Sequence, residues 1–208
     1  MIPFSFLDLA LVLEKDNSLK DTYDRLITTA QEAENIGFKR FWMAEHHNMG
    51  SVASSATTIL IGHVAAHTTH IRVGSGGIML PNHSPLAITE TFGTLEAIHG
   101  PRIDMGLGRA PGTDSNTARL LRPDFYENAQ KFPVNVQIIQ QLMDVENCTN
   151  TIRAIPGEGA TVPIWILGSS TESAYLAAEL GLPYAFASHF APKEMEAAFK
   201  IYTNHFKP

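Results

Sequence analysis

Two adjacent histidines and a carboxylate, in the run Ala44-Glu45-His46-His47-Asn48-Met49, are the residues of this sequence best suited to chemistry. They directly follow a short apolar run, Phe41-Trp42-Met43, which is typical of a buried β-strand. Imidazole titrates near neutral pH, so His46 is a candidate general acid or base. The alternatives are a metal site and a structural histidine bonded to Glu45. Adjacent extended residues point to opposite sides, so joint metal ligation by both histidines is geometrically poor.

A glycine-rich segment follows another predicted strand, in the run Val73-Gly74-Ser75-Gly76-Gly77-Ile78. Glycine weakens a strand, so three glycines in four positions need another reason. They allow a flat ligand to approach the backbone closely, or they allow a backbone conformation that other residues resist. A bulge or a tight barrel corner is the competing interpretation. Both interpretations stay open at this point.

Two further strand ends carry groups that bind anions. One delivers Arg109 into a loop rich in glycine and proline. A guanidinium suits two-point binding of phosphate or carboxylate, and the alternative is an ion pair with Asp104 or Asp114. The other, Leu167-Gly168-Ser169-Ser170, runs into a predicted helix start that includes Ser173. Free N–H groups, hydroxyls and the helix dipole can hold an anion there, although N-capping also explains the serines. Together these residues predict a phosphate site.

The remaining histidines predict no metal site. His63 and His67 are four residues apart on a predicted helix and His70 follows it, but no acid is interleaved and they lie away from the strand ends. We interpret them as surface or core residues. The same interpretation applies to His83, although it is close enough to the glycine-rich segment to line a pocket.

These residues are positioned by an alternation of short apolar strands and longer helices. The first helix is predicted to follow the capping residues Asp16-Asn17-Ser18 and to stop at Gly37, with apolar residues recurring on one face. Strands are predicted at residues 4–9, 40–44, 71–76, 103–108, 164–167 and 184–187. Further helices are predicted at residues 55–66, 85–98, 134–143, 171–180 and 193–205, with a polar, irregular stretch before residue 134.

Six β-then-α units in series predict an α/β fold with a parallel sheet and right-handed crossovers. An open doubly wound sheet and a TIM (β/α)8-type barrel both fit this alternation. A dinucleotide fold would need Gly-x-Gly-x-x-Gly after its first strand, which Asp8-Leu9-Ala10-Leu11 does not supply. We therefore expect one barrel domain over residues 1–208. It is incomplete, because about six β/α units are present and eight strands close such a barrel.

Composition narrows the class of protein. The 208 residues, 44% hydrophobic and 17% charged, suffice for one globular core. A net charge of −6 without a lysine or arginine run argues against nucleic-acid binding. A single cysteine, Cys148, excludes an intrachain disulfide and fits a reducing compartment. No basic segment precedes the N-terminal apolar stretch, and no apolar run reaches about 20 residues, so we expect a cytoplasmic protein without a membrane partner.

Taken together, these strand-end segments resemble the bacterial luciferase-like family of flavin-dependent monooxygenases, in its subgroup of alkanal-monooxygenase homologues. The resemblance runs in order over essentially the whole chain. It rests on the segments Glu45-His46-His47-Asn48-Met49, residues 72–83 around Gly76-Gly77, residues 106–114 around Arg109, Ile164-Trp165-Ile166-Leu167-Gly168-Ser169-Ser170, and Ala187-Ser188-His189-Phe190.

The resemblance implies FMN as cofactor and implies roles for single residues. His46 matches the acid–base histidine beside the flavin. The Gly76–Gly77 bond matches a non-prolyl cis peptide against the flavin ring, and Arg109 matches a phosphate-binding arginine. The other cofactor-binding positions implied by the resemblance are Glu45, Gly168, Ser169, Ser170 and Ser173.

The resemblance also implies a reaction and partners. Reduced FMN and O₂ would transfer one oxygen atom to a small organic, aldehyde-like substrate. Because the sequence has no nicotinamide fingerprint, we expect a separate flavin reductase to supply reduced FMN. A deazaflavin is the less favoured cofactor. The family has two further β/α units, and without them the first and last strands are edges, which favours a homo-oligomer. A non-catalytic or vestigial flavin-binding homologue is the alternative function.

Overall fold

The computed structural model describes residues 2–146 and 151–208 and contains one parallel β-sheet whose strands alternate with helices. Cys148, which we predict to be a reduced thiol, lies outside the described residues. The strands are β1 Ser5–Asp8, β2 Arg40–Met43, β3 Arg72–Ser75, β4 Ile78–Met79, β5 Ile103–Gly108, β6 Ile164–Gly168 and β7 Tyr184–Phe186. The helices are α1 Leu19–Asn35, α2 Thr57–Ala66, α3 Pro85–His99, α4 Ser115–Leu121, α5 Phe125–Gln130, α6 Phe132–Met143, α7 Thr171–Glu179 and α8 Met195–His205, with 3₁₀ turns at Leu80–Asn82 and Pro192–Glu194.

The sheet has six strand positions in the order β1-β2-β3-β5-β6-β7. Every pair of neighbours is parallel, and β4 prolongs the position of β3 by pairing with the end of β5. The sheet is curled into half a barrel. This confirms the predicted α/β class and the incomplete TIM-type architecture. In the described part of the chain, β1 and β7 each have a neighbour on one side only.

The core follows from the burial of the central strands. All six residues of β5 are buried, and Phe41 on β2 and Ile166 on β6 are completely inaccessible. A parallel strand that is covered on both faces carries a continuous apolar run, in contrast to the alternation of a half-exposed strand. Phe92 of α3 and Ile139 of α6 belong to the same buried cluster.

Helix boundaries agree with the capping signals. Ser18 caps α1 in a capping box, with its hydroxyl accepting from the Asp21 N–H while the Asp21 side chain accepts from the Ser18 N–H. Gly37, just past the end of α1, has φ of +88°, a conformation that glycine adopts without steric cost.

Apart from shifts of one or two residues at element ends, the structure differs from the prediction in two segments. The stretch before residue 134 is not irregular: it contains α4 and α5, and α6 begins at Phe132. Helices of seven and six residues are too short to show an apolar period. Asp114 nevertheless marks the start of α4, because its carboxylate accepts from the N–H groups of Asn116 and Thr117. In the glycine-rich segment, β3 ends at Ser75, before Gly76.

Candidate active site

Three loops meet at the carboxyl end of the sheet and hold the predicted site residues. Glu45 follows β2, and its N–H donates to the Gly77 carbonyl at 3.0 Å. The His47 N–H donates to the carbonyl of Gly112, in the loop after β5, also at 3.0 Å. Gly112 has φ of +66°, and a Cβ there would stand 2.6 Å from the Glu45 carbonyl oxygen. Close backbone contact therefore requires glycine at this position.

Glu45 is the centre of a buried hydrogen-bond cluster, here called the Glu45 cluster: Glu45, His47, Met79, Asn82 and His83. The carboxylate is 1% exposed. It accepts from the Met79 N–H at 2.9 Å and from the Asn82 amide at 3.0 Å. The Nε2 atoms of His47 and His83 both lie 2.9 Å from its oxygens. Each carboxylate oxygen is therefore engaged by protein donors.

The Glu45 carboxyl is ionised despite its burial. Burial by itself raises its pKa, but hydrogen bonds from His83, Asn82 and His47 outweigh that effect and hold the pKa below its ordinary value of 4.5. Because a carboxylate only accepts hydrogen bonds, both histidines must carry a proton on Nε2. The contacts with Glu45 therefore decide that Nε2 of each histidine carries a proton.

The two adjacent histidines have different surroundings. His47 is bonded to Glu45, which matches the interpretation of a structural histidine, while the half-buried His46 makes no side-chain hydrogen bond to any described residue. His46 is therefore the histidine of this pair that is available to a ligand. His83, which we interpreted as a surface or core residue, is instead a direct partner of Glu45. In the sequence, only its position six residues after Gly77 indicated that His83 lies near the site.

The Gly76–Gly77 peptide is cis, as the resemblance implies. Both glycines are also required by the protein itself. A Cβ on Gly76 would stand 2.8 Å from Leu7 Cδ1, and one on Gly77 would stand 2.8 Å from the Gly106 carbonyl oxygen. The contact of this bond with a flavin ring stays a prediction.

Arg109 is not paired with Asp104 or Asp114. Its Nη1 donates to Glu172 Oε2, in the first turn of α7, at 2.9 Å. Asp114 caps α4 and accepts from the Asn48 amide at 3.0 Å. The structure therefore brings Arg109 to the start of α7, as a shared phosphate site requires.

The serines after β6 form a compact turn. Ser173 Oγ donates to the Ser170 carbonyl at 2.7 Å and lies 3.0 Å from the Tyr184 hydroxyl. Gly168 has no space for a Cβ, which would meet Ser173 Oγ at 2.1 Å. Ser170 is the N-cap residue of α7 without a side-chain capping bond. Among the described residues, the hydroxyls of Ser169 and Ser170 have no hydrogen-bond partner.

A second buried charge cluster, inside the curled sheet, was missed by the sequence analysis. Asp104 on β5 is completely buried and accepts from Arg40 Nε at 3.1 Å, Arg72 Nε at 2.8 Å and Trp42 Nε1 at 3.1 Å. Arg40 also lies over the ring of Trp165. Charged residues at the starts of β2 and β3, and one inside the apolar β5, were the available signal. This cluster lies at the amino-terminal end of the strands, opposite the Glu45 cluster.

The helical histidines match their interpretation. His63 and His67 contact each other ring to ring at 4.6 Å, and His67 Nδ1 lies 2.8 Å from the His63 carbonyl. In residues 2–146 and 151–208 no group of three potential ligands has the arrangement of a metal site. The helices of the same residues include none with the length and apolar character that a membrane crossing requires.

Comparison with known proteins identifies the family. The family model for luciferase-like monooxygenases matches residues 3–207, so the chain belongs to this family. A luciferase-like monooxygenase from Escherichia coli K12 is 48% identical over 207 residues, which are 100% of this chain and 62% of that protein. The chain thus spans less than two thirds of the length of this relative. The alkanal-monooxygenase subgroup stays a prediction.

Solved structures agree with this assignment. The crystal structure of apo-MsnO8 has a TM-score of 0.92 and 34% identity, with 100% of this chain and 62% of that chain covered. The oxygenating component of 3,6-diketocamphane monooxygenase from Pseudomonas putida, solved with FMN, has a TM-score of 0.77 and 16% identity, covering 99% and 64%. An F420-dependent secondary alcohol dehydrogenase has a TM-score of 0.69 and 13% identity, with 99% of this chain and 67% of that chain covered. The last two similarities concern the fold alone.

Proposed function

We propose that this chain forms the FMN site of a monooxygenase that uses reduced FMN and O₂ to oxygenate a small organic, aldehyde-like substrate. The observation that carries this proposal is the convergence of His46, Gly76–Gly77 and Arg109 at the carboxyl ends of neighbouring strands. Active sites of TIM-type barrels lie at that end, because the loops there vary without disturbing the strands.

The residues after β5 and β6 have the donors that a flavin phosphate needs. Arg109 supplies a guanidinium, α7 supplies N–H groups at its start, and the Ser169 and Ser170 hydroxyls lack partners among the described residues. These donors suit an anion, which would have to displace Glu172 from Arg109. Gly168 belongs to the site by allowing Ser173 to fold back against the turn.

The role that we propose for each residue follows from its surroundings. FMN, when bound, supplies the oxygen chemistry, and the protein orients it, excludes water and manages protons. His46 would hold or release a proton at its imidazole, since no described protein group engages that ring. Glu45 would act as a positioning residue. Its carboxylate accepts from the Met79 N–H and from the side chains of His47, Asn82 and His83.

The proposal also includes the protein's partners and its cellular location. A separate flavin reductase would supply reduced FMN, and the protein would work in the cytoplasm as a homo-oligomer. We propose that residues 1–208 belong to a single barrel domain and form about six of its β/α units.

Binding of FMN is the first test. FMN would be titrated, oxidised and then anaerobically reduced, into protein checked by circular dichroism and size exclusion, with a deazaflavin titrated in parallel. We expect saturable FMN binding that weakens at least tenfold in Arg109→Ala, because one charge-assisted contact is lost. If the deazaflavin binds more tightly than FMN, the deazaflavin becomes the proposed cofactor. A folded protein that binds neither would overturn it.

Turnover separates the enzyme from the alternative, a non-catalytic or vestigial flavin-binding homologue. Reduced FMN, O₂ and a trial aldehyde would be supplied, and the oxygenated product measured. Loss of 10²-fold or more in His46→Ala, with wild-type rates in the exposed surface variant His63→Ala, would support an acid–base role. FMN binding without any product would favour the alternative.

A further inference from the structure

The guanidinium of Arg109 already has an anionic partner inside the protein. Its Nη1 lies 2.9 Å from Glu172 Oε2, and the two side chains are 55% and 72% exposed. Arg109 directly follows β5, and Glu172 is the second residue of α7, which begins three residues after β6. Because β5 and β6 are paired neighbours, this ion pair bridges the two strand ends that carry the proposed phosphate site.

Glu172 has the same sign of charge as the phosphate that would bind there. A carboxylate in the first turn of a helix interacts favourably with the helix dipole, as a bound phosphate would. Glu172 and a bound phosphate would therefore compete for the same two features, the Arg109 guanidinium and the start of α7. The nearby Ser173 and Tyr184 hydroxyls are uncharged near neutral pH, and burial raises the pKa of Tyr184 further.

The exposure of this pair makes an exchange of partners feasible. Solvent-exposed ion pairs contribute little to stability, since water and salt screen them and ordering two long side chains has an entropic cost. Displacing Glu172 from Arg109 would thus leave the fold intact. The completely buried Asp104, which holds two arginines, has no such freedom.

We propose that Glu172 is a specificity-determining residue of the cofactor site, an internal competitor for Arg109 that a flavin phosphate must displace. The carboxylate lowers the affinity for flavins that carry a phosphate and leaves the affinity for phosphate-free flavin unchanged. This inference rests on the proposed function, because it takes the phosphate of FMN to bind at Arg109 and α7.

The test compares FMN with riboflavin, which lacks the phosphate, in titrations followed by flavin fluorescence at low ionic strength. In Glu172→Gln we expect the FMN dissociation constant to fall about fivefold, the effect of removing one unit charge a few ångströms away in water. The riboflavin constant should stay unchanged. Glu179→Gln is the matched control: Glu179 is on the same helix, and its carboxylate contacts Lys207 at 3.4 Å instead of the site. This variant should bind FMN as the wild type does.

A double-mutant cycle with Arg109→Ala distinguishes competition from simple repulsion. If Glu172 acts by occupying Arg109, the gain from Glu172→Gln should largely disappear in the Arg109→Ala background. A gain that persists there, an equal gain for riboflavin, or unchanged FMN binding in Glu172→Gln would each overturn the inference while leaving the proposed function in place. Absence of binding of both flavins to the folded wild type would overturn the two together. Circular dichroism checks the fold of each variant.

Discussion

Two groups of polar residues at the same edge of the sheet are built in opposite ways. In the Glu45 cluster, a carboxylate that is 1% exposed accepts from four protein donors on two segments of the chain. In the Arg109–α7 cluster (Arg109, Ser170, Glu172, Ser173 and Tyr184), the one ion pair is exposed on both sides. Burial therefore separates a group that holds backbone in place from a group that can exchange partners.

This difference teaches which residues to assign to structure and which to ligand binding. A satisfied buried carboxylate has no free lone pair for a cofactor, but it maintains the positions of the loops around His46. An exposed guanidinium beside a helix start contributes little to the fold and is free to bind an anion. The following predictions test this comparison through stability, from the largest expected effect to the smallest.

Replacement of the buried carboxylate should have the largest effect. Glu45→Ala leaves the Met79 N–H, the Asn82 amide and two histidines without their acceptor. We expect the free energy of unfolding in urea to fall by about 3 kcal/mol or more, the usual range for removing one partner of a buried polar network. The exposed Glu32→Ala on α1 is the control and should change it by less than about 0.5 kcal/mol. Equal effects of both variants would contradict the comparison.

Acid should remove the contribution of Glu45 selectively. The pKa of Glu45 is lower in the folded state than its ordinary value of 4.5, so the folded protein gains stability from this ionisation above that value. The gain is lost as pH falls below 4.5 through the lowered pKa. We expect the difference in unfolding free energy between wild type and Glu45→Gln to be constant near neutral pH and to shrink below pH 4.5. A difference that does not vary with pH would show that folding does not lower the pKa of this carboxyl.

The smallest effects are expected in the Arg109–α7 cluster. Ser173→Ala removes the contacts of Oγ with the Ser170 carbonyl and the Tyr184 hydroxyl, and should lower the unfolding free energy by about 1 kcal/mol. Arg109→Ala should change it by less than about 0.5 kcal/mol, because the pair with Glu172 is exposed. Urea unfolding of both variants measures these two changes in unfolding free energy. A larger loss in Arg109→Ala than in Ser173→Ala would contradict the prediction.

Most of the fold was accessible from the sequence. Short apolar runs marked the six strand positions within a few residues, and Ser18 and Gly37 marked the two ends of α1. The short helices α4 and α5 were not accessible, because six or seven residues do not show an apolar period. The cis geometry at Gly76–Gly77 followed from the family resemblance and is present in the structure.

Partners of charged residues were the part that the sequence left open. Asp104 and Asp114 were the ion-pair partners considered for Arg109 as the alternative to phosphate binding, yet Arg109 contacts Glu172, 63 residues further along the chain. His83 was not expected to reach Glu45, 38 residues before it. Such pairs depend on which strands become neighbours and on the direction in which each strand end turns, and neither appears in local pattern.

The sequence by itself determined the class of fold and the carboxyl end of the strands as the place of the site. Both follow from local properties: burial dictates apolar strands, helices alternate with them, and parallel strands place their following loops at one edge. Only the tertiary structure decided that the His46 ring has no partner among the described residues while His47 is bonded to Glu45, and that Glu45 is buried while Arg109 is exposed. Those outcomes depend on contacts between distant segments, which set the burial and the hydrogen-bond partners of each group.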